Sequence, residues 1–207
     1  MSKTLIYLIG FPGSGKLTTA KKLCKIIDAV IISNNLFNNI ILNIVNLRNS
    51  EVSDELWESI FLVRENMLAI LEKHHIKSKH YILTNELIDG DPYDQRIYDS
   101  VVNLSEKMSV EILPVVLYCN NEELVKRVQS EERSKENKIT DPNSMRKRIE
   151  GKRLFVPKGA LEFNNSHLSA KEVAKRIAEK IKNKRKRKRK LVGASITNHV
   201  EKERTHG

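Results

Sequence analysis

Apolar residues alternate along the chain between short unbroken runs and longer stretches of helical period. TLIYLI at 4–9 is continuous, the pattern of a strand buried on both faces at the centre of a parallel sheet. From Leu17 to Asp28 the apolar positions Ala20, Leu23, Cys24 and Ile27 recur at helical spacing. AVIIS at 29–33 reads as a second strand. Residues 36–47 read as a helix with Leu36, Ile40, Ile41, Ile44 and Leu47 on one side and Asn39, Asn43 and Asn46 on the other. Ser53, followed by Asp54 and Glu55, is a capped, acid-rich helix start. Leu56, Ile60, Val63, Met67 and Ile70 carry that helix to about His74.

HYILT at 80–84 is a third strand and Val115–Cys119 a fourth, with Pro114 expected at its start because a central ladder needs every N–H. A helix over 121–133 and a polar, charged stretch to Asp141 follow. Asp141-Pro142 has the form of an N-cap with proline at the first helical position. ALEF at 160–163 is a fifth strand. Ser169 and Glu172 form a capping box opening a helix with Val173, Ala174, Ile177 and Ile181 inward. Five β–α units in succession predict a three-layer α/β/α fold around a five-stranded parallel sheet. After Lys182 the period stops. The expected organisation is one domain over 1–182 and a disordered tail over 183–207.

Composition narrows the class. With 207 residues, 40% hydrophobic and only 5% aromatic, the chain has material for a core of Ile, Leu and Val, unlike a wholly disordered or collagen-like chain. No apolar run approaches the ~20 residues of a membrane span. The stretch Thr4–Phe11 is too short for a signal peptide. Cys24 and Cys119 lack metal-ligand spacing and are expected reduced, which suits the cytoplasm. His74, His75 and His80 lack a paired acid at ligand spacing, and a helix C-terminus explains the first two.

Charge changes the picture only when divided along the chain. The net charge is +11, but KNKRKRKRK at 182–190 holds eight of the 37 Lys and Arg residues, and residues 1–181 carry 27 basic against 24 acidic groups. The surplus belongs to the tail. That run supports non-specific contact with nucleic acid or an anionic surface, a nuclear or host-cell targeting signal, or plain solubilisation. It has no interleaved aromatics with which to read bases.

The candidate chemistry starts at GFPGSGKLT, 10–18, between the first strand and the first helix. It fits G-x-x-x-x-G-K from Gly10 through Gly15 to Lys16. Gly10, Gly13 and Gly15 let the backbone approach phosphate oxygens, with Pro12 and Ser14 completing the loop. The helix that follows presents free N–H groups, and Lys16 has the reach for β- and γ-phosphates. Leu17 stands where Ser or Thr commonly binds magnesium, so the metal hydroxyl falls to Thr18.

With strand, loop, lysine, threonine and helix in register, the sequence resembles the P-loop kinase superfamily. Its adenylate kinase branch has G-x-P-G-x-G-K-G-T. Small-molecule kinases similar to shikimate kinase, gluconate kinase and chloramphenicol phosphotransferase look closer in length and layout. The resemblance spans roughly residues 1–182. It implies sheet order 2-3-1-4-5, ATP and Mg²⁺ over the phosphate loop, a small-molecule or nucleotide acceptor, and an Arg-bearing lid.

Acceptor ligands are expected at the C-terminal strand ends. There the chain offers Asn34 and Asn35 after strand two, and Thr84, Asn85 and Glu86 after strand three. Related kinases often carry an Asp after strand two as proton acceptor; this chain has SNN, and Asn cannot take up a proton. Glu86 is a candidate base or holder of a magnesium-bound water, equally a solvated acid opening a loop, with Asp89 and Asp91 as substitutes. The lid candidate covers about 127–150 and contains Arg127, Arg133, Arg146 and Arg148. By resemblance, Arg127 and Arg133 match the lid arginines that clamp nucleotide and transferring phosphoryl. Asn164 and Asn165, after strand five, match the loop that borders adenine in similar kinases. The expected function is a cytoplasmic ATP-dependent phosphotransferase. The alternatives are a polynucleotide or RNA-associated kinase or ATPase, and a nucleotide-binding module that has lost catalysis.

Overall fold

The computed structural model describes residues 3–45, 52–130, 140–184 and 186. Five parallel strands form one sheet in the order β2-β3-β1-β4-β5: β1 (Thr4–Ile9), β2 (Ala29–Ser33), β3 (His80–Asn85), β4 (Glu111–Tyr118) and β5 (Leu161–Asn164). The helices are α1 (Lys16–Leu23), α2 (Asn34–Ile44), α3 (Asp54–His74), α4 (Pro92–Lys107), α5 (Asn121–Val128), α6 (Pro142–Ile149) and α7 (170–184).

The unbroken apolar run of β1 follows from its position. Leu5, Tyr7 and Ile9 pack against Leu68 of α3 and Ile97, Val101 and Leu104 of α4. Ile6 and Leu8 face the other layer, where Ala20 and Leu23 of α1 meet Val173, Ala174, Ile177 and Ile181 of α7. A two-sided strand has no polar face to keep, so alternation disappears. A smaller cluster joins α5 to α6 through Leu124, Val125, Val128, Met145 and Ile149.

Local signals set most boundaries. The Ser53 hydroxyl accepts from Leu56 N, and Asp141 accepts from Ser144 N. Ser169 and Glu172 exchange bonds as a capping box, Ser169 N to the carboxylate at 2.9 Å and Glu172 N to the hydroxyl at 3.2 Å.

Five details depart from the sequence reading. Helix α1 stops at Leu23 rather than Asp28, because Lys25 and Ile26 donate three residues back and tighten the chain into a turn that starts β2. Helix α2 buries Phe37 and half-buries Ile41, leaving Leu36, Ile40 and Ile44 exposed, while Leu47 lies outside the described residues. The inward stripe of α3 is Ile60, Arg64 and Leu68, and Ile70 is exposed. Pro114 lies inside β4, opposite Tyr7 of β1; β5 begins pairing only at Val115, so the residue without an N–H sits where β4 has one neighbour. Helix α7 continues past Ile181 to 184, where Lys184 Nζ donates to Glu111 at 2.6 Å. Beyond 186 the expected tail lies outside the described residues.

The register aligns the strand ends that matter. Ile9 pairs with Asn85 and Val116, Ser33 with Thr84, and Tyr118 with Asn164. Every loop leaving those ends opens on one edge of the sheet.

Candidate active site

Residues 10–15 turn from β1 into α1 with little room to spare. A Cβ on Gly10 would meet Leu117 O at 2.8 Å, and Gly13 and Gly15 hold positive φ of 82° and 85°. Gly15 caps α1 without a side chain, so no side-chain oxygen occupies the helix N-terminus. The loop is pinned from β3 by Gly10 N donating to Asn85 O at 3.1 Å, and from the β5 end by Asn165, whose Nδ2 donates to Ser14 O. Lys16 Nζ bends over the loop to Gly10 O and to Phe11 O, the latter at 2.9 Å. A phosphate arriving at the loop would offer this ammonium charged acceptors in place of neutral carbonyls.

Above the loop lies a cleft of about 660 Å³. Gly13, Gly15, Lys16, Leu17 and Thr18 line its floor, with Pro12 beside them. Asn34, Asn35, Thr84, Asn85 and Glu86 form one wall. Arg127, Arg148 and Asn165 line it from the other elements. Ser14 is buried behind the loop, its hydroxyl without a partner among the described residues.

The remaining sequence candidates divide. Arg127 reaches the cleft from α5, its Nε 2.7 Å from Glu123 and its Nη2 3.1 Å from Asn165 O. Arg133 lies outside the described residues, as do 131–139 of the lid range. Asn164 does not line the cleft; its Oδ1 accepts from Ser166 N at 3.1 Å, a loop-shaping bond. Asp89 and Asp91 are also off the cleft, and Asp91 caps α4 by accepting from Tyr93 N and Asp94 N. Thr84 is buried, and its Oγ1 accepts from Asn34 N at 3.3 Å, fixing the start of α2 to β3.

Glu86 is not a solvated acid. Arg148 grips it with Nε at 2.7 Å and Nη2 at 2.5 Å from Oε2, and its side chain is 13% exposed. Asp94 stands behind this pair with its Oδ2 accepting from Ile88 N at 2.7 Å. Burial, reinforced by Asp91 and Glu86 nearby, lifts the Asp94 carboxyl to about 6 against the lowering effect of that bond.

The residue absent from the sequence reading is Arg64. It is buried in the inward stripe of α3, with its guanidinium 4.8 Å from the Phe37 ring centre. Nη2 donates to Asn34 Oδ1 and Nη1 to Asn85 Oδ1 at 3.4 Å. The available signal was an arginine at the i+4 step between Ile60 and Leu68.

The loop fits a nucleotide's phosphates: the cradle is built of glycines, the helix N-terminus carries no side-chain cap, and a lysine spans its mouth. Thr18 is the exposed hydroxyl on the first turn of α1 that would hold Mg²⁺, since Leu17 carries no ligand atom. Among the described residues no cluster of three His, Cys, Asp or Glu side chains forms a metal cage. A magnesium ion shared with phosphates needs none.

No protein-family model matches the sequence, and no curated protein matches it. Solved structures do match its fold. A gluconokinase from Sinorhizobium meliloti is 14% identical with a TM-score of 0.53, over 87% of this chain and 97% of that one. An APS kinase from Mycobacterium tuberculosis, solved with AMPPNP and APS, is 14% identical with a TM-score of 0.52, over 87% and 98%. An unliganded sugar kinase from Janibacter is 13% identical with a TM-score of 0.53, over 87% and 92%. The chain has the fold of the P-loop kinases, with the same strand order and helices on both faces. Among the described residues no helix is long and apolar enough to cross a membrane. Cys24 and Cys119 are free thiols, and burial pushes both above the usual thiol range.

Proposed function

We propose that the protein is a kinase that binds ATP with Mg²⁺ over the 10–18 loop and transfers the γ-phosphoryl group to a small hydroxylated molecule or a nucleotide. The observation that carries this reading is the convergence on one cleft of the glycine cradle, Lys16, Arg127 and the polar wall from Asn34 to Glu86. The acceptor hydroxyl oxygen bonds to the γ-phosphorus as the β–γ bridge breaks, and ADP leaves with the bridging oxygen and its electron pair. Such a transfer draws on positioning and charge more than on a strong base.

Each residue has a task in this reading. Lys16 follows the negative charge on the β- and γ-phosphates, and the α1 N–H groups hold their oxygens. Arg127 faces the nucleotide from the lid side; its guanidinium, anchored by Glu123, has further N–H donors for phosphate. Glu86 is the cleft carboxylate, and it takes the acceptor's proton only when Arg148 lets go. Thr18 is the residue that would hold Mg²⁺, which when bound would supply neutralisation of the phosphate charge.

Label transfer from γ-labelled ATP into pools of metabolites, nucleotides and oligonucleotides tests the proposal. Label in a small hydroxylated compound or nucleotide is the expected result. Label at an oligonucleotide end would replace it with the polynucleotide kinase reading, which the basic run 182–190 favours. Tight ATP binding with no transfer to any pool would favour a module without catalysis, as Leu17 and the tied-up Glu86 suggest.

A further inference from the structure

Arg64 is a buried cation, 1% exposed, and no carboxylate forms an ion pair with it among the described residues. Its hydrogen-bond partners are the side-chain oxygens of Asn34 and Asn85, and its Nε has none among the described residues. A guanidinium only donates, so both carboxamides must turn their oxygens toward it. This settles which way each amide faces without reference to how its O and N atoms were assigned. Each asparagine then has an Nδ2 group left over, with two N–H donors.

Both residues line the cleft, and no described residue accepts from either Nδ2. Asn34 is also the first residue of α2, whose N-terminus has no side-chain cap from Ser33. Beside Glu86, the two carboxamides therefore present donors, backed by a buried guanidinium that Glu65 and Asp94 offset only from a distance and by the positive end of a helix. A neutral hydroxyl would find neither of these two carboxamide oxygens free to accept its proton, whereas Asn38 Oδ1, one turn further along α2 in the same cleft, has no partner among the described residues and could take a neighbouring hydroxyl. An oxyanion would meet converging donors and a counter-charge.

We propose that Asn34 and Asn85 bind an anionic group, a carboxylate or a phosphate, on the acceptor molecule, and that Arg64 is the positioning residue that turns both amides into donors. The proposal rests on the reading of the cleft as a kinase site and names the class of its acceptor.

The test follows the side-chain amide NMR signals of Asn34 and Asn85 in the full chain, with AMPPNP and Mg²⁺ present. Glycerol, glycerate and glycerol 3-phosphate are titrated as neutral, carboxylate and phosphate probes. Glycerate, glycerol 3-phosphate or both should shift the two signals, identifying which oxyanion the site takes, while glycerol leaves them in place. In Asn85→Asp the new carboxylate still accepts from Arg64 and pairs its charge, so melting temperature should hold or rise. Affinity for the anionic probe should nonetheless fall tenfold or more, as one charge-assisted bond is lost and repulsion added. A melting temperature that holds alongside unchanged anion affinity would overturn the proposal. So would glycerol shifting the signals as strongly as the anions, or neither anion shifting them while AMPPNP moves the Gly13 and Gly15 amides; the kinase reading would then stand alone. Anions that shift the asparagine signals in a protein whose loop amides ignore AMPPNP would leave the anion site standing and the kinase reading refuted.

Discussion

Arg148 and Glu86, 62 residues apart, are joined so that one guanidinium meets both carboxylate oxygens, with Nε 3.1 Å from Oε1 and 2.7 Å from Oε2. The pair ties α6 to the end of β3 across the mouth of the cleft. Glu86→Gln and Arg148→Gln should each lower stability by about 1 kcal/mol, since one partner is left without its charge-assisted bonds. The double variant should be no worse than the worse single one, because both remove the same interaction. Urea unfolding of the four proteins measures this, and strictly additive losses would separate the two residues.

Thr18→Val keeps the shape of an exposed side chain and removes its oxygen. Melting temperature should stay within a degree or two, while the gain in AMPPNP affinity on adding Mg²⁺ should shrink by roughly tenfold. Leu17→Ser should leave that gain as it is. Titration calorimetry with and without Mg²⁺ reads both variants, and an undiminished magnesium effect in Thr18→Val would remove Thr18 from the metal site.

Asp94 makes stability depend on pH in an unusual direction. Its carboxyl is lifted from 3.8 to about 6 in the folded protein. Between those values the folded form holds a proton that the unfolded chain has lost, so this group's contribution falls as pH rises from about 4 to about 6. Asn still accepts from Ile88 N. The stability of Asp94→Asn relative to the parent should therefore climb across that window and level off above it. Denaturation at half-unit pH steps checks this, and a flat difference would contradict the burial of the carboxyl.

Truncation after Lys186 preserves α7 and the Lys184–Glu111 bond. It removes six basic and two acidic residues, taking the formal net charge from +11 to +7. AMPPNP affinity should be unchanged. Retention on RNA or anionic vesicles should weaken and lose part of its steep dependence on salt. Filter binding at two salt concentrations measures this; loss of nucleotide affinity on truncation would mean that the removed residues serve the cleft.

The strands, the phosphate loop and the capped helix starts were legible in the sequence because each depends on neighbours in the chain. Gly10, Gly13 and Lys16 act within one loop, and Ser53, Asp141 and Ser169 cap the turns that follow them. Helix α4 went unread although Asp91-Pro92 marks its start as plainly as Asp141-Pro142 marks that of α6. Its inward residues Ile97, Val101 and Leu104 are spaced widely among polar ones. Arg64 and the Glu86–Arg148 pair were hidden for a different reason. Each joins residues at least 21 positions apart, so its meaning arises only when α3 and α6 pack against the strand ends. The apolar period read for α3 passed over Arg64, to which the fold gives two carboxamides and an aromatic ring.

Nucleotide binding at the 10–18 loop is tested most directly by titrating AMPPNP with Mg²⁺ into the parent protein and Lys16→Ala. Lys16 donates to two carbonyls of its own loop and takes no part in the core clusters, so its loss should leave the fold intact by circular dichroism. AMPPNP affinity should fall at least tenfold, the loss of a charge-assisted contact to phosphate. Equal affinity in the two proteins, or no binding to the parent, would contradict the assignment of this cleft.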